Sequence, residues 1–225
     1  SSTNGTTWSS VTTPVRPAHV TIGRITEGSH WGDHPICVSF RDRLYYAGDD
    51  YIASTNAPTI HCWDGTTDVI VGYVPYNITV GATSQAFGVM AMAAYDDSTI
   101  LISTDDAGAA GSIVSRVFQF NVTTGTMTQI GPTAAIGATE FNTGYVSCLA
   151  VHQGRVFAGT ERLGNGAGEV YMFRIGQDTT WTLDEAFGAN YNVHSLAVFR
   201  GLLYAGMRTL LTGTPAIYVR SNVGT

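Results

Sequence analysis

The sequence predicts an all-β chain: a β-propeller of about four four-stranded antiparallel blades, the last blade completed by the N-terminal strand. Three observations lead there. First, a short phrase recurs as Asp42-Arg43-Leu44-Tyr45-Tyr46-Ala47-Gly48, Gly154-Arg155-Val156-Phe157-Ala158-Gly159 and Gly201-Leu202-Leu203-Tyr204-Ala205-Gly206, with a worn copy from Ser98 to Thr104. Aligned on closing positions 48, 104, 159 and 206, the copies are 56, 55 and 47 residues apart. A period near fifty means one supersecondary unit used repeatedly. Second, each copy sits among short runs of β-branched and aromatic residues broken by glycine turns, the palette of strands and tight turns. Third, the last repeat lacks the continuation that the third one has, and the N-terminus carries a matching phrase.

Taken in order, 1–13 opens with the hairpin signal Asn4-Gly5 and continues from Trp8 to Thr13 with strand composition. It is expected to be the closing strand. Residues 14–34, with Pro14, Pro17, Gly23, Gly28 and Gly32, read as a connector holding a short strand within 18–25. Four blades follow at 35–80, 86–132, 145–186 and 193–225. Strands are predicted at 36–40, 44–48, 59–63 and 68–74 in the first blade and at 89–95, 99–104, 115–121 and 127–130 in the second. The third has them at 146–151, 155–159, 169–174 and 180–183, and the fourth at 193–199, 202–206 and 216–220. The third blade passes from Tyr171-Met172-Phe173 through a turn to Asp178-Thr179-Thr180-Trp181-Thr182. The fourth passes from Ile217-Tyr218-Val219 to Thr225, and Gly5-Thr6-Thr7-Trp8-Ser9 supplies the missing phrase. Without it the last sheet would keep an unpaired edge. Small residues in the first strands (Ser39, Ala91, Ala93, Ala150, Ala197) suit strands crowded around an axis.

Composition narrows the function. Among 225 residues 44% are hydrophobic and 12% charged, the net charge is -6, and all eleven basic residues are Arg. Such a chain is not a disordered one. It offers no electrostatic footprint for nucleic acid or anionic lipid, and no apolar run reaches the ~20 residues of a membrane helix. The N-terminal stretch has no signal-peptide pattern. Ser1 in place of an initiator Met is expected of a processed chain or of a piece of a longer one. Three cysteines rule out a complete disulfide framework. Cys37 and Cys148, at matching places in two repeats, are expected to be small buried hydrophobes. His61 and His152, in or beside strands, are expected to be structural.

These phrases, together with Gly-Thr-Thr-Trp at 5–8 and the aromatic-x-aromatic pattern before turns, resemble β-propeller repeats of phage tail proteins and secreted bacterial surface proteins. The turns also resemble degenerate Asp-boxes, the Ser-x-Asp-x-Gly-x-Thr-Trp hairpin. Ser1 to Trp8 has Thr3 in place of the Asp, and Asp178 to Trp181 matches only at Thr180 and Trp181. The resemblance implies an extracellular or virion-surface location and architecture over about 35–225, and it brings no catalytic residue.

Binding residues gather on loops held by a rigid scaffold, and the longer loops here all open on one face of the expected ring. Just after the recurring phrase stand Asp50, Asp106, Glu161 and Arg208, with Asp49 and Asp105 beside the first two. Tyr145, Asn192 and His194 begin first strands on the same face. Carboxylate, amide and aromatic groups together suit sugar hydroxyls and the apolar faces of sugars, and the oxygens could also hold Ca²⁺; no cofactor is otherwise expected. His30, Asp33 and His34 form a weak candidate metal site. Sequons at Asn4, Asn77 and Asn121 are candidate glycosylation sites. The expected function is a non-enzymatic module for adhesion, to a glycan or another surface receptor, or for assembly with other subunits of a virion or fibre. The alternatives are a filament subunit joined by strand donation and a sialidase-like glycoside hydrolase. For the last, Arg162 and Arg208 make too small an arginine cluster.

Overall fold

The structure, a computed structural model, describes residues 20–22, 36–50, 58–74, 88–107, 113–131, 144–162, 167–189, 191–209 and 215–220. The expected closing strand in 1–13 lies outside these, as do His30, Asp33, His34, Asn4 and Asn77. All described secondary structure is strand, arranged in four antiparallel sheets. The first sheet holds β1 (Val20–Ile22), β2 (Cys37–Phe40), β3 (Arg43–Asp50), β4 (Pro58–Trp63) and β5 (Asp68–Tyr73). The second holds β6 (Gly88–Ala94), β7 (Thr99–Ala107), β8 (Ile113–Asn121) and β9 (Met127–Ile130). The third holds β10 (Gly144–His152), β11 (Arg155–Arg162), β12 (Ala167–Phe173) and β13 (Thr182–Ala189). The fourth holds β14 (Tyr191–Phe199), β15 (Leu202–Thr209) and β16 (Ala216–Val219). Strand β1 pairs with the far end of β3, beyond the reach of β2.

Each sheet is a meander, and the sheets stack in chain order. Strand β2 lies against β6, β6 against β10, and β10 against β14. Three apolar cores fill the seams between successive sheets. Among the described residues none joins the first sheet to the fourth. Phe118, Phe120 and Phe157 are essentially fully buried in these cores, each stabilising the fold by roughly 1.5–3 kcal/mol through burial. This is the blade arrangement of a propeller.

Local chemistry explains the hairpins. The first two strands of three sheets are joined by two-residue turns with positive φ at both positions: Arg41 and Asp42, Gln153 and Gly154, Arg200 and Gly201. Such turns match the right-handed twist of the flanking strands. Farther along, the first strand of three sheets carries a one-residue bulge, at Met90, Ser147 and His194. A bulge re-aims the residue that forms it. The Ser147 hydroxyl uses this to donate to the Val193 carbonyl of the next sheet at 2.6 Å. Ser103 donates likewise to the Val146 carbonyl at 3.0 Å.

The pairing registers correct the phase of the repeat. Beyond the bulges, Ala91 pairs with Ser103, Cys148 with Gly159 and Ser195 with Gly206. Counting from the hairpin ends, Phe40 with Arg43 and His152 with Arg155, makes Ala47 the counterpart of Gly159. The equivalent positions are therefore 47, 103, 159 and 206, spaced 56, 56 and 47, and not 48 and 104 in the first two repeats. All four residues are small, and at Gly159 the next sheet packs closely. A Cβ on Gly159 would lie 2.6 Å from both Cys148 Sγ and Val193 Cγ1.

A second correction concerns Cys37. It is exposed, whereas Cys148 is buried as expected. The short strand β2 turns Cys37 and Ser39 outward and Phe40 inward.

Candidate functional site

The second strand of every sheet ends at one face of the stack, where the first strands begin. The corrected phase changes which residues match there. Tyr145 pairs with Glu161 and Asn192 with Arg208, and the same register in the second sheet pairs Gly88 with Asp105. Counterparts of Glu161 and Arg208 are thus Asp49 and Asp105, not Asp50 and Asp106. Adjacent strand residues belong to opposite faces of a sheet, so the slip of one residue matters. Asp50 pairs instead with Val20, and Asp106 with Val114.

The third and fourth sheets bring three of the anticipated residues together. Glu161 Oε2 accepts a hydrogen bond from the Tyr145 hydroxyl at 2.6 Å, and its Oε1 lies 3.1 Å from His194 Nδ1. The Glu161 side chain is 5% exposed and that of His194 is 55% exposed. A dry carboxylate therefore holds a wet imidazole. An ionised carboxylate can only accept, so His194 Nδ1 is the donor in this contact. His194 can reach back across the seam because it is the bulge residue of β14. Buried Asn192 and half-buried Arg208 stand side by side next to it.

Two groups were not legible in the sequence. Glu169, also buried, accepts from the Tyr171 hydroxyl at 2.7 Å. Its backbone N–H donates to Thr160 Oγ1 at 3.0 Å. Glu161 and Glu169 lie on opposite faces of the third sheet, facing different seams, so the two carboxylates do not converge on one substrate as glycoside hydrolysis requires. In the first sheet, Thr59 Oγ1 lies 3.1 Å from His61 Nε2, and His61 Nδ1 lies 3.3 Å from Asp68 Oδ1. The Tyr46 hydroxyl donates to Asp68 Oδ2, and the Tyr46 ring stacks on His61 at 4.9 Å. Thr59 and His61 are buried. The arrangement fastens three strands together. In both groups the partners are two to twenty-two residues apart, and only the pairing of strands joins them.

The remaining anticipated residues are spread out. Asn121 lies at the end of β8, where its Oδ1 accepts from the backbone N–H groups of Thr123 and Thr124 at 3.0 Å each. Among the described residues no three His, Cys, Asp or Glu side chains gather as a metal ion would need.

No family model matches the chain, and no curated protein is similar to it. Solved structures match at the level of overall shape. Dipeptidyl peptidase 4 of Porphyromonas gingivalis gives a TM-score of 0.49 at 12% identity, over 87% of this chain and 32% of that one. A prolyl endopeptidase gives 0.49 at 14% identity, over 82% and 26%. The exo-β-1,3-galactanase of Phanerochaete chrysosporium gives 0.33 at 8% identity, over 76% and 55%. The chain thus spans about a third or less of the peptidases and about half of the galactanase. These matches are enzymes, and on that finding the expectation of a non-enzymatic chain is withdrawn. At such scores and identities the likeness carries no residue, substrate or reaction to this chain.

Proposed function

We propose that this propeller is a carbohydrate-binding module, displayed outside the cell or on a virion, with its ligand seated over the adjoining ends of the third and fourth sheets. The observation that carries the reading is the Tyr145–Glu161–His194 array. It presents one imidazole on two strands, its orientation set by a buried carboxylate. Recognition of a hydroxylated ligand needs such fixed, partly desolvated polar groups, because each has to replace water in a defined direction. Half-buried Arg208 lies on the neighbouring strand pair. Low charge and the absence of Lys fit a neutral ligand better than a polyanion.

The reading is tested by a glycan-array screen followed by calorimetric titration of each hit against His194→Ala, Glu161→Gln and Arg208→Ala. A glycan whose affinity falls at least tenfold with His194→Ala, about 1.4 kcal/mol, supports it. A screen without a hit, or hits indifferent to all three substitutions, removes it.

A further inference from the structure

A cavity of about 350 Å³ lies between the third and fourth sheets, a size that suits a small organic molecule. Buried Val170, Leu203 and Ala205, with half-buried Leu196, give it an apolar lining. Two links cross the seam from β13 to β16 and the residue after it, and the side chains that make them line the cavity. The Phe187 ring stands 4.8 Å from the Tyr218 ring, inclined to it by 52°. Asp184 grips the Arg220 guanidinium with two bonds of 2.8 and 2.9 Å. The guanidinium in turn lies over the buried Phe157 ring at 5.2 Å. These groups hold one another in place, so a ligand has little left to order when it binds. On the β16 side Tyr218 is 42% exposed and Val219 53%, which gives a solute access.

Charge selects the ligand. Arg220 is matched by Asp184, whereas exposed Glu185, which also lines the cavity, joins none of the ion pairs among the described residues. The lining therefore sets two carboxylates against one guanidinium. An anion would meet their repulsion and find the guanidinium already paired, while a cation would be drawn to Glu185. The apolar residues and the Phe187 and Tyr218 rings suit an aromatic body, since rings pack favourably edge to face or offset. Arg220, with one face on Phe157, adds a cation that attracts the π-face of a ring.

We infer that this cavity is a binding site for a small aromatic amine, whose ring packs among Leu203, Ala205 and Tyr218 and whose ammonium group pairs with Glu185. The inference is independent of the proposed carbohydrate site, with which the cavity shares no residue.

The test is a set of ligand-observed NMR titrations of the full chain with phenethylamine, phenethyl alcohol and hydrocinnamate, which carry the same ring with a cationic, a neutral and an anionic end. Phenethylamine should saturate the protein and bind tightest, and hydrocinnamate weakest. Glu185→Gln should weaken phenethylamine about three- to fivefold, as expected for an exposed ion pair, and leave phenethyl alcohol unchanged. Leu196→Trp, which fills the cavity, should abolish binding of phenethylamine, whereas His194→Ala should not alter it. If Leu196→Trp does not fold, the Glu185→Gln comparison decides alone, because that side chain is exposed. Failure of phenethylamine to saturate the protein by ~10 mM overturns the inference and leaves the cavity to a protein segment. Hydrocinnamate binding as tightly as phenethylamine overturns it too, as does phenethylamine binding that Glu185→Gln leaves untouched.

Discussion

Glu161 and His194 meet across the seam between the third and fourth sheets, 3.1 Å from Oε1 to Nδ1. One side chain is nearly dry and the other more than half exposed. The carboxylate therefore does two jobs: it satisfies the Tyr145 hydroxyl inside and orients an imidazole outside. Glu161→Ala removes the acceptor of a 2.6 Å bond, and loss of a buried hydrogen-bond partner costs about 1–3 kcal/mol. Urea unfolding should show that loss, and Glu161→Ala combined with Tyr145→Phe should recover part of it. Equal stabilities of wild type and Glu161→Ala would contradict the bond.

At Gly159 the small residue that ends the recurring phrase is set by packing against the next sheet. Gly159→Ala would press a methyl group onto Cys148 Sγ and Val193 Cγ1, and overpacking of this kind costs about 1–3 kcal/mol. Gly188→Ala is the control, since a Cβ there meets nothing within 4 Å. Denaturation midpoints should separate the two variants, and matching midpoints would refute the tight approach.

The turn after β4 is fastened by one carboxylate. Asp64 Oδ1 accepts from the Thr66 N–H and hydroxyl and from the Thr67 N–H at 2.8–2.9 Å. The Thr67 and Thr66 bonds hold its carboxyl down at about 2, below the ordinary 3.8. A carboxyl lowered on folding stabilises the fold above its unfolded value and loses that contribution as pH falls through the folded one. The stability difference between wild type and Asp64→Ala should accordingly be constant at neutral pH and shrink between roughly pH 4 and pH 2. Carbon NMR of the Asp64 carboxyl checks the titration directly, and a midpoint near 4 would show that the turn does not hold it.

The three thiols should differ sharply in reactivity. Cys37 is exposed, while Cys62 and Cys148 are buried. Burial pushes the Cys148 thiol up to about 12, which keeps it protonated and inert near neutrality. A thiol reagent at mildly alkaline pH should label Cys37 alone in the folded chain and all three after denaturation. Rapid labelling of Cys148 in the native protein would mean that the core between the third and fourth sheets opens.

Strand content and turn placement were readable because they depend on local chemistry. The recurring phrase marks β3, β11 and β15, and the glycines after Gln153 and Arg200 mark their hairpins. The phase of the repeat was not readable. The doubled Tyr45-Tyr46 lengthens the first copy by one residue, and Thr104 continues the second copy past its small residue, Ser103. Both slips make Asp50 and Asp106, rather than Asp49 and Asp105, look equivalent to Glu161. Glu161, Tyr145 and His194 each stand at a loop end in the sequence, but their mutual contact rests on a bulge at His194, which no local pattern announces.

The class of the fold and its repeating unit follow from local residue patterns. Alternating β-branched and aromatic runs with glycine turns can bury their apolar faces only as stacked sheets, and a period near fifty sets how much chain each sheet uses. Which carboxylates are buried and which imidazole is held follow from the packing of the sheets. Those properties depend on register and on the seam between sheets, where one residue of slip exchanges the two faces of a strand.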